Sequence, residues 1–162
     1  MEILDIINDQ DEVIGTISRK EANAQGVMHR IVHVLIFDNF DRMALQLRSD
    51  KVDWCPGHWS TAVGGHVLSG ETFEQGAKRE MLEELGVDLD LEFLFKDLYI
   101  VPPERKKLLS VYRAVYEGEF KFEEGKIVDC KYFTLDEIKN MIDRGEKFHP
   151  ELLFILNKHY FK

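Results

Sequence analysis

The succession of patterns along the chain predicts an α/β fold, of the mixed α+β kind: a sandwich in which helices flank a mixed β-sheet. Three observations predict it. Residues 31–37 are a strongly apolar, β-branched run of the sort that makes a central strand. Phe73, Ala77, Met81 and Leu85 recur every four residues, as on the buried stripe of a helix. Strand-like runs stand on both sides of that helix, and two further helical patterns close the chain.

In order, Ile3–Ile7 and Val13–Ser18 are short β-like runs joined by the polar segment 8–12, which predicts a hairpin. Residues 19–28 are polar and rich in small side chains, consistent with a short helix or a loop, and suggest no function. Residues 1–28 thus read as an N-terminal extension with a hairpin that could serve a homodimer. After the strand at 31–37, Asp38, Asn39, Phe40 and Asp41 make a turn; residues 43–47 are expected to pair back, with Arg48 at the strand's end. Residues 49–60, with Pro56-Gly57, Trp54 and Trp59, form a turn-rich loop leading into a run at 61–63.

Thr72 followed three residues later by Gln75 is a capping box that starts a helix, and Gly86 is its natural stop. Residues 91–101 read as a strand that Pro102 and Pro103 break, residues 104–107 as a charged loop, and residues 108–116 as the return strand. Residues 117–125 are acidic and connecting, and Ile127–Phe133 is another strand. Thr134, with Glu137 at the third helical position, caps a helix over 135–142. Pro150 suits the first turn of a last helix over 151–159, whose Leu152, Ile155, Leu156 and His159 give a mostly apolar, core-packing face. With no internal repeat and no low-complexity linker, residues 1–162 are expected to form one domain.

Composition bounds the function. Hydrophobic residues at 44% and charged residues at 31% fit a soluble globular chain. No apolar run approaches the ~18 residues of a membrane span, and the first ten residues lack the basic and apolar regions of a signal peptide. Cys55 and Cys130 make neither a disulfide framework nor a metal spacing, so a reducing cytoplasm is expected. A net charge of −9 argues against a broad nucleic-acid surface, but not against a small anionic substrate.

The most informative stretch is 65–87. Gly65, Glu71, Arg79, Glu80, Glu83, Glu84 and Gly86 fall in the pattern G-x5-E-x7-R-E-U-x-E-E-x-G-U, where Met81 and Val87 fill the bulky aliphatic positions U. Seven fixed letters would coincide on the order of once in 10^8 starting points. Glu80, Glu83 and Glu84 lie at i, i+3 and i+4, so their carboxylates gather on one side of the helix. That crowding near a helix C-terminus is locally unfavourable, and Glu84 also falls within the apolar stripe. A hard divalent cation such as Mg²⁺ resolves both problems, because it takes carboxylate oxygens and substrate phosphates. A solvated acidic helix face is the alternative. Gly64-Gly65 lets the backbone approach a metal or phosphate.

The pattern is a complete match to the Nudix box, and the chain resembles the Nudix hydrolase family. The resemblance implies a Nudix-type α/β/α sandwich and Mg²⁺-dependent hydrolysis of a diphosphate bond, with Mn²⁺ as a substitute. The substrate would be a nucleoside diphosphate linked to another moiety or a related organic diphosphate. The resemblance makes the Gly65 carbonyl a metal ligand alongside Glu80, Glu83 and Glu84, with Glu80 or Glu83 helping to deprotonate water. Arg79 would orient and balance the carboxylate one turn along, and Glu71 would support the loop–helix geometry or touch the metal through water. Arg48 is the best candidate for substrate phosphate.

Weaker similarities, among them His29-Arg30, Gln46-Leu47-Arg48, Gly64-Gly65-His66 and Phe148-His149-Pro150, point to proteins related to isopentenyl-diphosphate isomerase. The isomerase's catalytic Cys is replaced here by Gly64, and a glycine cannot protonate a double bond. His66 and His29 match its metal-ligand histidines; a hydrogen-bonded strand or loop histidine is the alternative for each. Many relatives carry a further Glu where Lys126 stands, with Glu123 and Glu124 close by. Isomerase activity and a non-catalytic diphosphate-binding module are the competing functions. Trp54, Trp59 or Tyr99 could stack a base, though core packing is the commoner fate of such aromatics.

Overall fold

The computed structural model describes residues 1–102 and 104–161. Its order is β1 (Ile3–Ile7), β2 (Val13–Ser18), α1 (Arg19–Gln25), β3 (His29–Phe37), β4 (Met43–Arg48), β5 (Trp59–Thr61) and β6 (Val63–His66). Then follow α2 (Phe73–Leu85), β7 (Glu92–Val101), β8 (Arg105–Val115), β9 (Ile127–Phe133), α3 (Leu135–Asp143) and α4 (Pro150–Ile155), which continues as a π-helical turn, Leu156–Tyr160.

The apolar run at 31–37 becomes the buried centre of a mixed sheet. β3 runs parallel to β8 and antiparallel to β6, and β8 pairs antiparallel with β7. Side chains alternate across a strand, and here the alternation sorts two cores. Val32, Val34 and Ile36 face α2 with Ala77, Met81 and Leu85. Leu35 and Phe37 face the other helices with Ile138, Leu152 and Ile155. A sheet covered by α2 on one face and by α3 and α4 on the other is the expected α/β/α sandwich.

The chain departs from expectation around β4. Instead of pairing back along β3, β4 meets it only at Phe37 and Met43, and then pairs with β5 and β9. β6 takes the vacated edge of β3. The run expected at 61–63 is therefore divided between β5 and β6 at Ala62. Between the diverging strands β4 and β6 lies the opening that becomes the site.

Two further expectations need correction, and the open choice of helix or loop at 19–28 is settled. Arg105, Lys106 and Lys107 are strand residues of β8 rather than a solvated loop; Pro103, half of the expected break, lies outside the described residues. Residues 19–25 are a true helix, capped by Ser18 and by Gly26 in the left-handed conformation at φ 69°. His159 does not join the apolar face: it meets Asp97 Oδ2 at 2.7 Å and stacks on Phe95. The N-terminal hairpin forms its own two-stranded sheet and fastens to the loop before α2, where Ser69 N donates to Ile3 O and Ser69 Oγ to Asp5. Among the described residues no helix is long and apolar enough to cross a membrane.

Candidate active site

The capping box forms as the sequence requires. Thr72 accepts from Gln75 N, the Gln75 side chain accepts from Thr72 N, and Gly86 ends α2 at φ 68°. These two ends fix which side of α2 meets the β6 loop, and so place the acids. Arg79 is the hub. Its Nε donates to Glu71 Oε2 at 2.7 Å, Nη2 donates to Glu71 Oε1 and to the His66 carbonyl, and Nη1 donates to Glu80 Oε1 at 2.9 Å and Glu83 Oε2 at 3.3 Å. Glu71 in turn accepts from Leu68 N. Arg79 and Glu71 thus tie loop to helix, which is a positioning role for both.

Gly65 lies beneath Glu80. A Cβ on Gly65 would stand 2.5 and 2.8 Å from the two Glu80 oxygens, so a side chain there would push that carboxylate aside. Glu84 is the most constrained acid. It is 9% exposed, and Gln46 Nε2 donates to its Oε1 at 2.9 Å. Alternation along β4 puts Gln46 on the α2 side, where it also reaches the Ala62 carbonyl. With Glu80 and Glu84 both ionised, the buried Glu84 Oε2 has no hydrogen-bond partner among the described residues.

The electrostatics follow. Burial, then the charge of Glu80, push the Glu84 carboxyl well above its ordinary range. Burial also raises Glu80, with the Arg79 charge acting against it. The two acids are close enough to share a proton. Glu83 stands apart, 53% exposed and leaning on Arg79. Among the described residues no three His, Cys, Asp or Glu side chains converge into a ready metal cluster. The residues nonetheless fit a dication, because an unpartnered buried carboxylate oxygen beside a second strained carboxylate is relieved by positive charge.

These acids line a cleft of about 580 Å³ whose far wall carries Glu123, Glu124 and Lys126. Glu123 and Glu124, which stand near the further Glu of relatives, both border the cleft, and Glu123 N donates to the Glu84 carbonyl. Lys126 pairs with Glu123 at 3.2 Å.

A second recess of about 350 Å³ adjoins the cleft and shares Arg48, Trp54, Gly65, His66 and Glu84 with it. α1, assigned no role from sequence, supplies Arg19, Ala22 and Asn23 to its wall. So do Arg105, Lys106 and Lys107. Arg48 Nε donates to the Trp54 carbonyl. Burial lowers the Arg48 guanidinium from its ordinary value, with Cys55 and Glu84 opposing. A partly desolvated guanidinium without a bonded carboxylate suits a phosphate oxygen.

Deeper in the recess His29 and His66 stack, with ring centroids 5.3 Å apart. Burial holds both below the usual imidazole range, His66 at about 3. His29 Nδ1 must donate to the Val27 carbonyl, since a carbonyl only accepts. Among the described residues neither ring's Nε2 has a partner. His33 bridges Thr61 Oγ1 at 2.7 Å and Glu151 Oε1 at 2.9 Å, and Lys107 takes the other Glu151 oxygen at 3.0 Å.

His149 caps α4 and accepts from Glu151 N through Nδ1 at 3.1 Å. Its Nε2 lies 3.2 Å from Trp54 Nε1. Both neighbours are donors, so His149 can satisfy only one. Leaving the buried Glu151 amide unpaired costs about 1–3 kcal/mol, whereas the exposed indole N–H can turn to water. His149 therefore carries its proton on Nε2, facing Trp54.

The structure brings Gly65, His66, Arg48, Glu80, Glu83 and Glu84 to one cleft and its shared wall, while Arg79 and Glu71 do not line it but stand behind, Arg79 bonded to Glu71, Glu80 and Glu83. Sequence reasoning missed Gln46 as the clamp on Glu84; its signal was a lone polar side chain alternating with Met43, Ala44, Leu45 and Leu47.

With this geometry in hand, the chain can be set beside known proteins. The NUDIX domain family matches residues 27–154. The chain belongs to the Nudix family. It is similar to the uncharacterized Nudix hydrolase lmo0368 of Listeria monocytogenes, 32% identical over 161 residues that cover 98% of this chain and 93% of that protein. It is also 36% identical to the uncharacterized Nudix hydrolase YPO2781 of Yersinia pestis, covering 97% and 85% of the two chains. Among solved structures, DR0079 from Deinococcus radiodurans superposes with TM-score 0.86 at 26% identity, over 98% of this chain and 99% of that one. The NUDIX domain of Shewanella oneidensis NrtR, complexed with ADP ribose, shares the fold at TM-score 0.63 and 17% identity, over 88% and 96%. The chain is thus a Nudix hydrolase by family, with its box on α2 and the loop before it.

Proposed function

We propose that this Nudix hydrolase cleaves the diphosphate bond of a small organic diphosphate, such as a nucleoside diphosphate linked to another moiety, with Mg²⁺ or Mn²⁺. The observation that carries the reading is Glu84: a buried carboxylate, clamped on one oxygen by Gln46 and unpartnered on the other. The ion would be held by Glu80, Glu83, Glu84 and the Gly65 carbonyl, and when bound it would polarise a phosphoryl oxygen and offset its charge. Glu80 or Glu83 accepts a proton from the attacking water. Arg79 holds those two side chains in place. Gln46 prevents Glu84 from turning away. Arg48, on the wall shared by cleft and recess, binds phosphate oxygens while the organic group enters the recess.

The test is a panel of organic diphosphates with Mg²⁺ and with Mn²⁺, products identified by mass. ADP ribose belongs in it because the NrtR domain is complexed with that molecule. At least one compound should be cleaved, and Glu83→Gln should slow cleavage by at least ~100-fold. An unchanged rate in that variant would remove this mechanism.

A further inference from the structure

We infer that Trp54 is the specificity-determining residue that receives a planar aromatic ring of the substrate. The inference rests on the hydrolytic reading above for the placement of the diphosphate. Four observations support it. Trp54 is 59% exposed, so its indole is open to a ligand. It borders both the acidic cleft and the adjoining recess, so a group continuing from a diphosphate at Arg48 passes its face. Its carbonyl accepts from Arg48 Nε, which couples the place of the ring to the place of the phosphate. Its edge is placed by His149: the indole Nε1 lies 3.2 Å from His149 Nε2 and the two rings meet edge-on with centroids 6.5 Å apart, which leaves the indole face to the recess.

The other aromatic candidates are less exposed than Trp54. Trp59 packs edge-on against Phe133 and does not line the recess. Tyr99 lines the recess but is held edge-on by Phe154. The exposed Trp54 face therefore fits a nucleobase or comparable ring. An isoprenyl chain would bury against it without stacking, and a bare sugar would leave it wet.

The experiment uses the full chain. Trp59→Phe leaves Trp54 as the single tryptophan. With Mg²⁺ present, this variant is titrated with AMP, GMP, CMP and UMP, and with ribose 5-phosphate and inorganic pyrophosphate. At least one mononucleotide should quench the Trp54 fluorescence, and the two compounds without a base should not. In turnover, Trp54→Ala should raise KM for base-bearing diphosphates at least ~5-fold with kcat little changed, and Trp54→Phe should restore most of the loss. KM for a diphosphate without an aromatic ring should stay the same. Quenching by no mononucleotide, quenching equal to that by ribose 5-phosphate, or an equal KM effect on both substrate kinds would overturn the inference. Absence of hydrolysis across the panel would contradict the hydrolytic reading instead, and the fluorescence titration would still decide the role of Trp54.

Discussion

Two buried glutamates in this chain meet opposite fates. Glu151 is 4% exposed and both of its oxygens are bonded, one to His33 and the other to Lys107. Burial works to raise its carboxyl, but His33, Lys107 and His149 outweigh it and hold the group well below the usual range. Glu84 is 9% exposed, lies beside another acid, and has one oxygen without a partner. Its carboxyl is pushed the other way. The burial is alike, so the difference lies in the company. A buried charge that the fold completes is structural; one that the fold leaves incomplete marks where a ligand must finish the set.

Glu151→Ala leaves His33 and Lys107 without their carboxylate, and is expected to destabilise the protein by about 3–5 kcal/mol in urea unfolding. A loss below about 1 kcal/mol would show that the network is not structural. At the incomplete end, Glu84→Gln should remove at least ~100-fold of the activity, about 2.7 kcal/mol of barrier, without loss of stability in the metal-free protein. Gly65→Ala should cost only about 1 kcal/mol of stability, because the new methyl meets the far end of a flexible side chain, the Glu80 carboxylate, which can turn aside. A loss of several kcal/mol would show that Glu80 cannot give way.

The smallest effect concerns Asp97. Burial raises its carboxyl, but hydrogen bonds and charges from Lys158 and His159 bring the net shift below the ordinary 3.8. A depressed carboxylate contributes stability above its unfolded value and loses it as pH falls through the folded one. The parent should therefore lose more stability than Asp97→Asn as pH drops below about 3.8, with a difference on the order of 1 kcal/mol. Identical acid unfolding curves would contradict that pairing.

The sequence made part of this legible. Local chemistry was readable: Thr72, Gln75 and Gly86 bound α2, Thr134 and Glu137 start α3, and the spacing of Glu80, Glu83 and Glu84 announces the acidic side of the helix. What depends on distant partners was not. Nothing near Met43 says that β4 should leave β3 for β9, because that choice is made by residues 127–133. Arg105 to Lys107 look like a loop by charge, yet they lie in β8 because Tyr99, Ile100 and Val101 pair with them. Glu151 reads as a helix-start acid; its meaning comes from His33, 118 residues away in sequence.

On the function proposed above, Glu80 and Glu84 tolerate each other as anions only when a dication completes them. Carboxyls raised in the folded state contribute stability that is present below their unfolded value and lost as pH rises through the folded one. The direct measurement is Tm with Mn²⁺ and with EDTA, at pH 5 and pH 8, for the parent and for Glu84→Gln. The account predicts a Mn²⁺-induced rise in the parent that is larger at pH 8, and little or none in Glu84→Gln. A parent whose Tm ignores Mn²⁺ at pH 8, or a variant that gains as much as the parent, would contradict it.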